Sequence, residues 1–466
     1  MQINFITNKP ALDGSYNVNL YLISEAENGR PALRKTPGHT LKVTPDEDVE
    51  VRGMVVMGEY LYAVCGNTFY KIDLTFTATS LGTLNSSTGK VWIVASDTSI
   101  MIVDNGGDGY YYNSGVASLT QITDADFPSN VNSVTFQDGY FIVTKTDTND
   151  FYISAIDNPA SWAVADTDEV EGDYSYLKGV ISVNRRLLFL AEKSMQWYYN
   201  SGNADFPFEP IGGSYQDLGI FAPNSPALLD SSVYFLDSKK RVVRTAEFSY
   251  QVISTEQINK KISSYAHPET AIGYGLHWQG HIWYVIVFPD DDITWVYDVT
   301  TENWHQWASG VDEGRHRSNC YVFWQEQNKH LIGDYANGNI CELDNSYTDN
   351  GSSILWQRTS GSIYQDNKRI VFNYFQADVK TGTGLISGHG IDNLEPPYCI
   401  LQWSDDDGRT WSNEHWGSYG KIGEYKTRVK FNRLGVSRRR IFRLKGTEDT
   451  EFEIYGAFLE AQMGRN

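Results

Sequence analysis

One short motif in the chain has residue types and spacing that are typical of a defined turn. From Ser404 to Trp411 the sequence is Ser-Asp-Asp-Asp-Gly-Arg-Thr-Trp, which follows the Asp-box pattern S-x-D-x-G-x-T-W. The chemistry of this pattern is local. Gly408 permits a tight turn, Ser404 and Asp406 can bond turn amides, and Trp411 can pack beneath them. We therefore predict a structural turn that also includes Thr410.

The Asp-box resembles the repeated hairpin turns of sialidases, where it stabilises the fold away from the active site. A sialidase also needs arginines that converge on the substrate carboxylate, and this chain offers no distinctive set. Among 58 acidic residues, carboxylate pairs for glycoside hydrolysis are easy to nominate, but sequence spacing does not fix the distance between two carboxyl groups. We predict that the chain is not an enzyme, with a glycan-binding or glycan-cleaving protein as the alternative.

Two other groups of residues could bind metal, and both lack essential ligands. The segment from Asp104 to Gly109 is similar to a calcium loop, but its twelfth position is Gly115, where a bidentate Glu is required. His277 and His281 are separated by a turn and lack third and fourth ligands for zinc. No glycine-rich phosphate-binding motif follows a strand. We predict neither a metal site nor a cofactor.

The elements that must position these residues are hairpins that recur along most of the chain. Each hairpin has a polar turn followed by an aromatic or aliphatic strand, and successive turns are 40, 41, 45, 47, 49 and 48 residues apart. This period matches a four-stranded propeller blade. The turn anchors are Gly58, Thr98, Gly139, Asn184, Ser231, Gly280 and Asn328.

Composition and repeat together predict an all-β protein. Aromatic residues make up 14% of the chain and there are 40 glycines, which suits half-buried strands and tight turns. We expect an irregular N-terminal segment at 1–45 that closes onto the propeller, a β-propeller at 46–345, and an antiparallel, β-sandwich-like domain at 346–466. Seven blades are favoured, and six remain possible because the fourth strand of each repeat is faint.

Charge is distributed unevenly along the chain. The formal net charge is −20, which disfavours a protein that grips nucleic acid by neutralising phosphates. No apolar run approaches the roughly 18 residues of a membrane span, and we expect no membrane insertion. Residues 421–445 nevertheless contain ten Lys and Arg against one acid, a local charge of ten minus one, or +9.

This basic segment predicts a docking surface. The planar guanidinium group of arginine can form two parallel hydrogen bonds with a carboxylate on a partner. Alternatively the segment is a solvated face of edge strands, or some of its arginines stabilise the domain internally, since strand residues alternate faces. The predicted interface residues are Arg428, Arg433, Arg438, Arg439, Arg440 and Arg443.

Three stretches in a fixed order carry a resemblance to a known family. They are Asn17–Tyr21 with Leu33–Gly38, then Gln216–Ile220 with Gln251–Ser254 and Ile258, and finally Arg433–Leu444 with Gly456–Glu460. The most specific part is Arg-Leu-Gly-x-Ser-Arg-x-Arg, from Arg433 to Arg440. From about residue 15 to 461 the chain resembles the packaged-DNA stabilisation proteins of short-tailed bacteriophages, also called tail hub or nozzle proteins.

The resemblance implies a structural virion protein, assembled in the cytoplasm of the bacterial host. Family members form a ring, usually a hexamer, below the portal and its adaptor protein. They retain packaged double-stranded DNA in the lumen without sequence-specific binding, and they carry a tail spike, fibre, needle or plug protein. The resemblance brings no catalytic residues. The competing readings are the glycan-directed propeller and an unrelated cytoplasmic scaffold.

Overall fold

Strands form nearly all of the regular structure. The computed structural model describes Gln2–Ile3 and residues 15–116, 118–170, 175–384 and 396–464. The helical segments in these ranges are the α-helix Glu256–Ser263 and the 3-10 turns Pro268–Thr270 and Gln325–Gln327.

In the described part of the chain, the repeat region forms seven antiparallel sets of four strands. The first four sets are Val51–Met57, Tyr60–Cys65, Thr68–Ile72 and Ala78–Thr83; Trp92–Ala95, Ser99–Val103, Gly109–Asn113 and Thr120–Gln121; Val131–Gln137, Tyr140–Lys145, Asp150–Ala155 and Asn158–Glu169; Leu177–Val183, Arg186–Ala191, Met195–Asn200 and Phe208–Pro210. The last three are Ala227–Leu229, Ser232–Leu236, Val242–Ala246 and Ser249–Val252; Ile272–Trp278, His281–Phe288, Ile293–Asp298 and Asn303–Gln306; Ser318–Trp324, Lys329–Asp334, Ile340–Asp344 and Gly38–Val43.

Local turn chemistry explains why the first two strands of each set pair. In the first set, Gly58 has a φ of 58° and the register places Met57 opposite Tyr60. A positive φ suits glycine, and asparagine tolerates it better than most residues. Six of the seven expected turn anchors have a positive φ, all except Thr98: Gly58, Gly139, Asn184, Ser231, Gly280 and Asn328.

Hydrophobic side chains fill the space between neighbouring sets. Val64 and Ile102, for example, share a core between the first and second sets. The seventh set packs on the first through Trp324 and Leu61, which closes the ring. The outer strand of the seventh set is the N-terminal strand Gly38–Val43, so chain segments about 300 residues apart close the propeller together.

The remaining strands form two sheets that pack as a β-sandwich around a separate core. The first sheet, in spatial order, is Leu20–Ile23, Ala32–Lys35, Glu453–Met463, Ile370–Val379 and Val429–Asn432, with Gln2–Ile3 beside Glu453–Met463 and Val436–Ser437 beside Ile370–Val379. The second is Tyr16–Val18, Trp356–Thr359, Arg439–Gly446, Tyr398–Ser404 and His415–Ser418, with Ile363–Tyr364 beside Arg439–Gly446. The short strands Thr348–Asp349 and Ser352–Ser353 extend the seventh propeller set.

In its described residues, Gln2–Ile3 and 15–45, the N-terminal segment is not irregular, contrary to the prediction. Within 15–45 the chain contributes strands to the sandwich and to the propeller, and it joins the two. Tyr16–Val18 pairs in parallel with the propeller strand Asn303–Gln306 and antiparallel with the sandwich strand Trp356–Thr359. One continuous sheet therefore runs from the propeller into the sandwich. The prediction was wrong because strands of three to six residues leave little periodicity and find their partners far along the chain.

The four cysteines are free thiols. Cys65, Cys341 and Cys399 are buried, and burial raises the pKa of each of these thiols and of Cys320. Thiols that stay protonated are poor nucleophiles, so we assign these residues to packing. No helix among the described residues is long and apolar enough to cross a membrane.

Candidate interaction surface on the β-sandwich

The Asp-box residues form a closed, hydrogen-bonded turn at the end of the strand Tyr398–Ser404. Ser404 Oγ accepts the N–H of Gly408 at 2.8 Å and donates to Asp406 Oδ1 at 2.7 Å. Asp406 also accepts the backbone N–H of Thr410 at 2.9 Å and its hydroxyl at 2.6 Å. Gly408 has a φ of 89°, which favours glycine. These contacts give the turn a structural role.

The same turn is anchored to the domain by an aromatic contact. The hydrogen bonds from Thr410 stabilise the charged carboxylate and lower the pKa of Asp406 to about 2. Trp411 is half-buried, and the guanidinium carbon of Arg443 lies 3.8 Å from the centre of its ring. Arg443 also donates to Gln402 Oε1 at 2.8 Å. Arg443, predicted as an interface residue, is thus largely engaged within its own domain.

Arg440 is buried and does not belong to a docking surface. It is 2% exposed and makes a bidentate pair with Asp405 of the Asp-box turn, at 2.7 and 2.8 Å. It also donates to the carbonyl of Leu434, and its guanidinium lies 4.5 Å from the centre of the Phe372 ring. The prediction is wrong for this residue because strand alternation places Arg440 on the inner face with Phe442.

The adjacent Arg439 is on the opposite face. Its side chain is 51% exposed and pairs at 2.8 Å with Asp407, which is 52% exposed. Two neighbouring arginines therefore bind two acids of one turn in different environments. The bidentate pair with the buried Arg440 fixes the turn to the sheet although Asp405 is 44% exposed, whereas the pair in which both partners are exposed is screened by water and can exchange partners.

The exposed arginines lie along one margin of the sandwich. Arg428 precedes the strand Val429–Asn432, which is the last strand of its sheet, and Arg433 follows it. Charged residues on an edge strand also prevent unwanted strand pairing, so edge protection is an alternative role. We call the exposed set the basic margin: Arg428, Arg433, Arg438 and Arg439.

Sequence reasoning missed the residues that join the two domains, of which Asn19 is central. Asn19 is fully buried with a φ of 53°. Its Nδ2 donates to the carbonyls of Ala308 at 2.9 Å and Leu355 at 2.7 Å, and its Oδ1 accepts the N–H of Ala308 at 2.8 Å. One side chain thus ties the propeller to the first residues after it. The only sequence signal was that Asn19 lies within a family-like segment.

Two charged neighbours on the strand Ala32–Lys35 fix that strand: Lys35 bonds to the chain that leaves the propeller, and Arg34 bonds within the sandwich. Lys35 is 1% exposed and donates to the carbonyls of Tyr347 at 3.1 Å and Glu448 at 2.8 Å. Burial lowers its pKa to about 8. Arg34 donates to the fully buried carboxylate of Glu453 at 2.8 Å. Buried charges with defined partners fix the relative position of the segments that carry them.

The groups rejected as metal sites do not converge. Asp104 Oδ1 accepts the N–H of Gly106 at 2.9 Å and of Asp108 at 3.0 Å, the geometry of a simple turn. His281 is nearly buried, and its Nδ1 lies 2.7 Å from Asp298 Oδ2, whereas His277 is exposed.

The chain is therefore an all-β protein in which a propeller is joined by its own N-terminal strands to a β-sandwich. Residues 8–348 match a family model described as Bacteriophage P22 Gp10, beta-propeller, and residues 355–462 match one described as Bacteriophage P22 Gp10, beta-sandwich. The chain belongs to this family, whose name refers to the stabilisation of packaged phage DNA. The resemblance and the fold class predicted from sequence are confirmed, and the protein is a structural component of a phage virion.

Similar solved structures share little sequence with the chain. They include the WD40 beta propeller domain of Doa1 (13% identity, 66% of this chain and 96% of that chain, TM-score 0.43). They also include the computationally designed Ika8 protein (12%, 74% and 100%, 0.41) and BamB from Moraxella catarrhalis (10%, 64% and 83%, 0.41). No curated protein matches the chain.

Proposed function

We propose that this protein is the tail hub, or nozzle, subunit of a short-tailed phage. Copies of the chain form a ring, a hexamer by analogy with the family, below the portal and its adaptor. The ring retains packaged DNA and is the platform for a tail spike, fibre, needle or plug protein. The observation that carries the proposal is that both domains match the same phage family, together covering nearly the whole chain.

The way in which the domains are joined supports a load-bearing role. A ring wall under pressure from packaged DNA needs subunits that do not bend between domains. Here a continuous sheet crosses the junction, and the buried Asn19 bonds to residues on both sides of it. The buried Lys35 bonds the sandwich strand to Tyr347 in the chain that leaves the propeller. A ring with rotational symmetry needs only one heterologous contact, repeated around the axis.

The charge distribution supports the mode of assembly. Outside residues 421–445 the chain carries −20 minus +9, or −29, so acidic surface is abundant on every neighbouring copy. We propose that the basic margin docks on acidic surface of a neighbouring subunit or of the adaptor. The acidic remainder repels DNA, so the genome can slide through the lumen without adhering.

Assembly with a portal–adaptor complex tests the proposal directly. The purified chain is mixed with that complex and imaged by negative-stain electron microscopy. We expect a ring of added density beneath the adaptor. Failure of the wild-type chain to add such density, together with hydrolysis of a surface polysaccharide, would show that the protein is a glycan-cleaving tail component.

Charge reversal then tests the docking surface. The triple variant R428E/R433E/R438E should lose ring addition at 0.15 M salt. Its matched control, K193E/K239E/K260E, reverses three exposed lysines of the propeller and has the same net charge. If both variants assemble like the wild type, the basic margin is not the docking surface. If both variants lose ring addition equally, the change in net charge causes the loss, and the basic margin has no specific role in docking.

A further inference from the structure

Two histidines and an aspartate from distant parts of the chain meet where the propeller closes. His39 is on the closing strand Gly38–Val43, His316 precedes the strand Ser318–Trp324, and Asp349 follows the propeller. One ring nitrogen of each histidine and one carboxylate oxygen lie within 4.8 Å of one another. His39 and His316 are 2% and 1% exposed, and the Asp349 side chain is 10% exposed.

The geometry within this cluster is not that of an ordinary histidine–carboxylate pair. His39 Nδ1 lies 3.0 Å from Asp349 Oδ1, yet both atoms are buried without a properly aligned hydrogen bond. By contrast, His281 and Asp298 form a well-aligned hydrogen bond of 2.7 Å. Buried polar atoms are rarely left unpaired, because losing water without gaining a partner is unfavourable. The two atoms form a close ion pair whose geometry is poor for a hydrogen bond, and a cation bound beside them would contact both.

We propose that His39, His316 and Asp349 bind a divalent transition-metal ion, with zinc as the best match. Two imidazoles and a carboxylate are a usual zinc set, and a water completes four-coordination. With bonds of about 2.0–2.2 Å, tetrahedral ligand atoms are about 3.3–3.6 Å apart. The three ligand atoms lie within 4.8 Å of one another, so side-chain rotations would have to bring them to that spacing when the metal binds.

The surroundings of the cluster orient its ligands in the way that metal sites require. His316 Nδ1 lies 2.6 Å from Ser318 Oγ, which in turn bonds to the hydroxyl of Tyr274. In the tautomer whose Nδ1–H donates to Ser318, Nε2 is the nitrogen that would bind the metal. Asp349 Oδ2 accepts the N–H of Gly310 at 2.8 Å, which leaves Oδ1 for the metal. Such outer hydrogen bonds fix ligand orientation and metal affinity.

The position of the cluster gives the metal a role in closing the propeller. The backbone already brings the segments together, because Asp349 pairs with His39 in parallel and the N–H of Asn350 donates to the carbonyl of His39 at 2.9 Å. A metal would add a bond between three segments: the closing strand, the inner strand of the last blade, and the chain that leads to the sandwich. It would stabilise the closed form of the propeller.

Zinc binding by the full-length chain tests the proposal. Protein purified in chelator is titrated with Zn²⁺, and bound metal and melting temperature (Tm) are measured. We expect one equivalent of zinc and a Tm increase of a few degrees, because a ligand that binds only the folded state stabilises it. In Co²⁺-loaded protein we expect the visible absorption of a tetrahedral site. A wild-type protein without either response would overturn the proposal.

Variants locate the site. H39Q and D349N should bind zinc more than ten-fold more weakly and lose the Tm increase. D349N is included because its amide has nearly the shape of the native carboxylate, so this variant can be tested even if H39Q does not fold. The matched control is H281Q, in the ordinary histidine–aspartate pair, and it should respond to zinc like the wild type. Retention of the full response in D349N, or its equal loss in H281Q, would refute the assignment.

Discussion

Replacement of Asn19 tests whether the domain junction contributes as much stability as its geometry indicates. In Asn19→Ala, the N–H of Ala308 and the carbonyls of Ala308 and Leu355 lose their side-chain partners in a buried environment. Each such group costs about 1–3 kcal/mol, and carbonyls are at the low end. Alanine at a φ of 53° adds about 1 kcal/mol of strain. We expect a loss of about 4–6 kcal/mol.

The expected shift in Tm follows from the size of the chain. The entropy of unfolding is about 2.1 cal/mol/K per residue, or about 1 kcal/mol/K for a cooperative unit of 466 residues. The Tm of Asn19→Ala should therefore fall by about 4–6 °C if propeller and sandwich unfold together. If the junction is what couples them, calorimetry of the variant should show two transitions in place of one.

Three further variants make the result decisive. Asn19→Gly loses the same hydrogen bonds without the backbone strain, so it should be about 1 kcal/mol more stable than Asn19→Ala. Asn19→Asp places a carboxylate oxygen against two carbonyls and should be the least stable of the three Asn19 variants. Asn184→Ala, at an exposed hairpin turn with a φ of 49°, reports strain alone. An Asn19→Ala protein as stable as Asn184→Ala would refute the reasoning.

Two further predictions concern buried charges. Arg440→Ala removes a buried guanidinium, its bonds to Asp405 and to the carbonyl of Leu434, and its packing on Phe372, and should lower the free energy of unfolding by about 2–4 kcal/mol. Arg439→Ala at the exposed pair should lower it by less than about 1 kcal/mol. Equal losses in urea unfolding would show that burial of the arginine does not decide the difference. Burial lowers the pKa of Lys35 from 10.5 to about 8. Above pH 8, Lys35 is therefore protonated in the unfolded chain and largely neutral in the folded one, and the free energy of unfolding rises with pH. Compared with Lys35→Met between pH 7 and 9.5, the wild type should gain relative stability above pH 8, and parallel Tm curves would contradict this.

The hairpins of the propeller were predictable because their signals are local. Turn residues that accept a positive φ and the strand that follows them lie within about six residues of one another. Asn184 and Ser231 occupy such turns although neither is glycine. Thr98 is the exception among the anchors: its turn is held by Ser96, whose hydroxyl accepts the N–H of Thr98 and of Ser99.

The N-terminal strands were not predictable in the same way. Lys35 donates its N–H to the carbonyl of Phe452, more than 400 residues further along the chain. Strands of three or four residues show no clear alternation, and long-range pairing leaves no trace in the local sequence. The family resemblance marked these segments as distinctive without indicating their partners.

The candidate site was predictable in part. Alternation along a strand implied that some arginines face inward, but three consecutive arginines do not show which one does. The neighbouring residues did contain that information. Phe442 and Leu444 are two and four positions after Arg440, so a buried apolar face of period two must include it.

The strand that closes the propeller also sets the order of events during synthesis. Gly38–Val43 leaves the ribosome about 300 residues before its partner Ile340–Asp344, and at 5–20 residues per second the delay is roughly 15–60 s. Throughout that interval the early strand has no partner, and the first six blades are added one after another to an arc that is not yet closed. Nascent chains on one polysome could exchange strands during this time. Codon usage and chaperone access within this window should therefore govern the yield of correctly closed subunits.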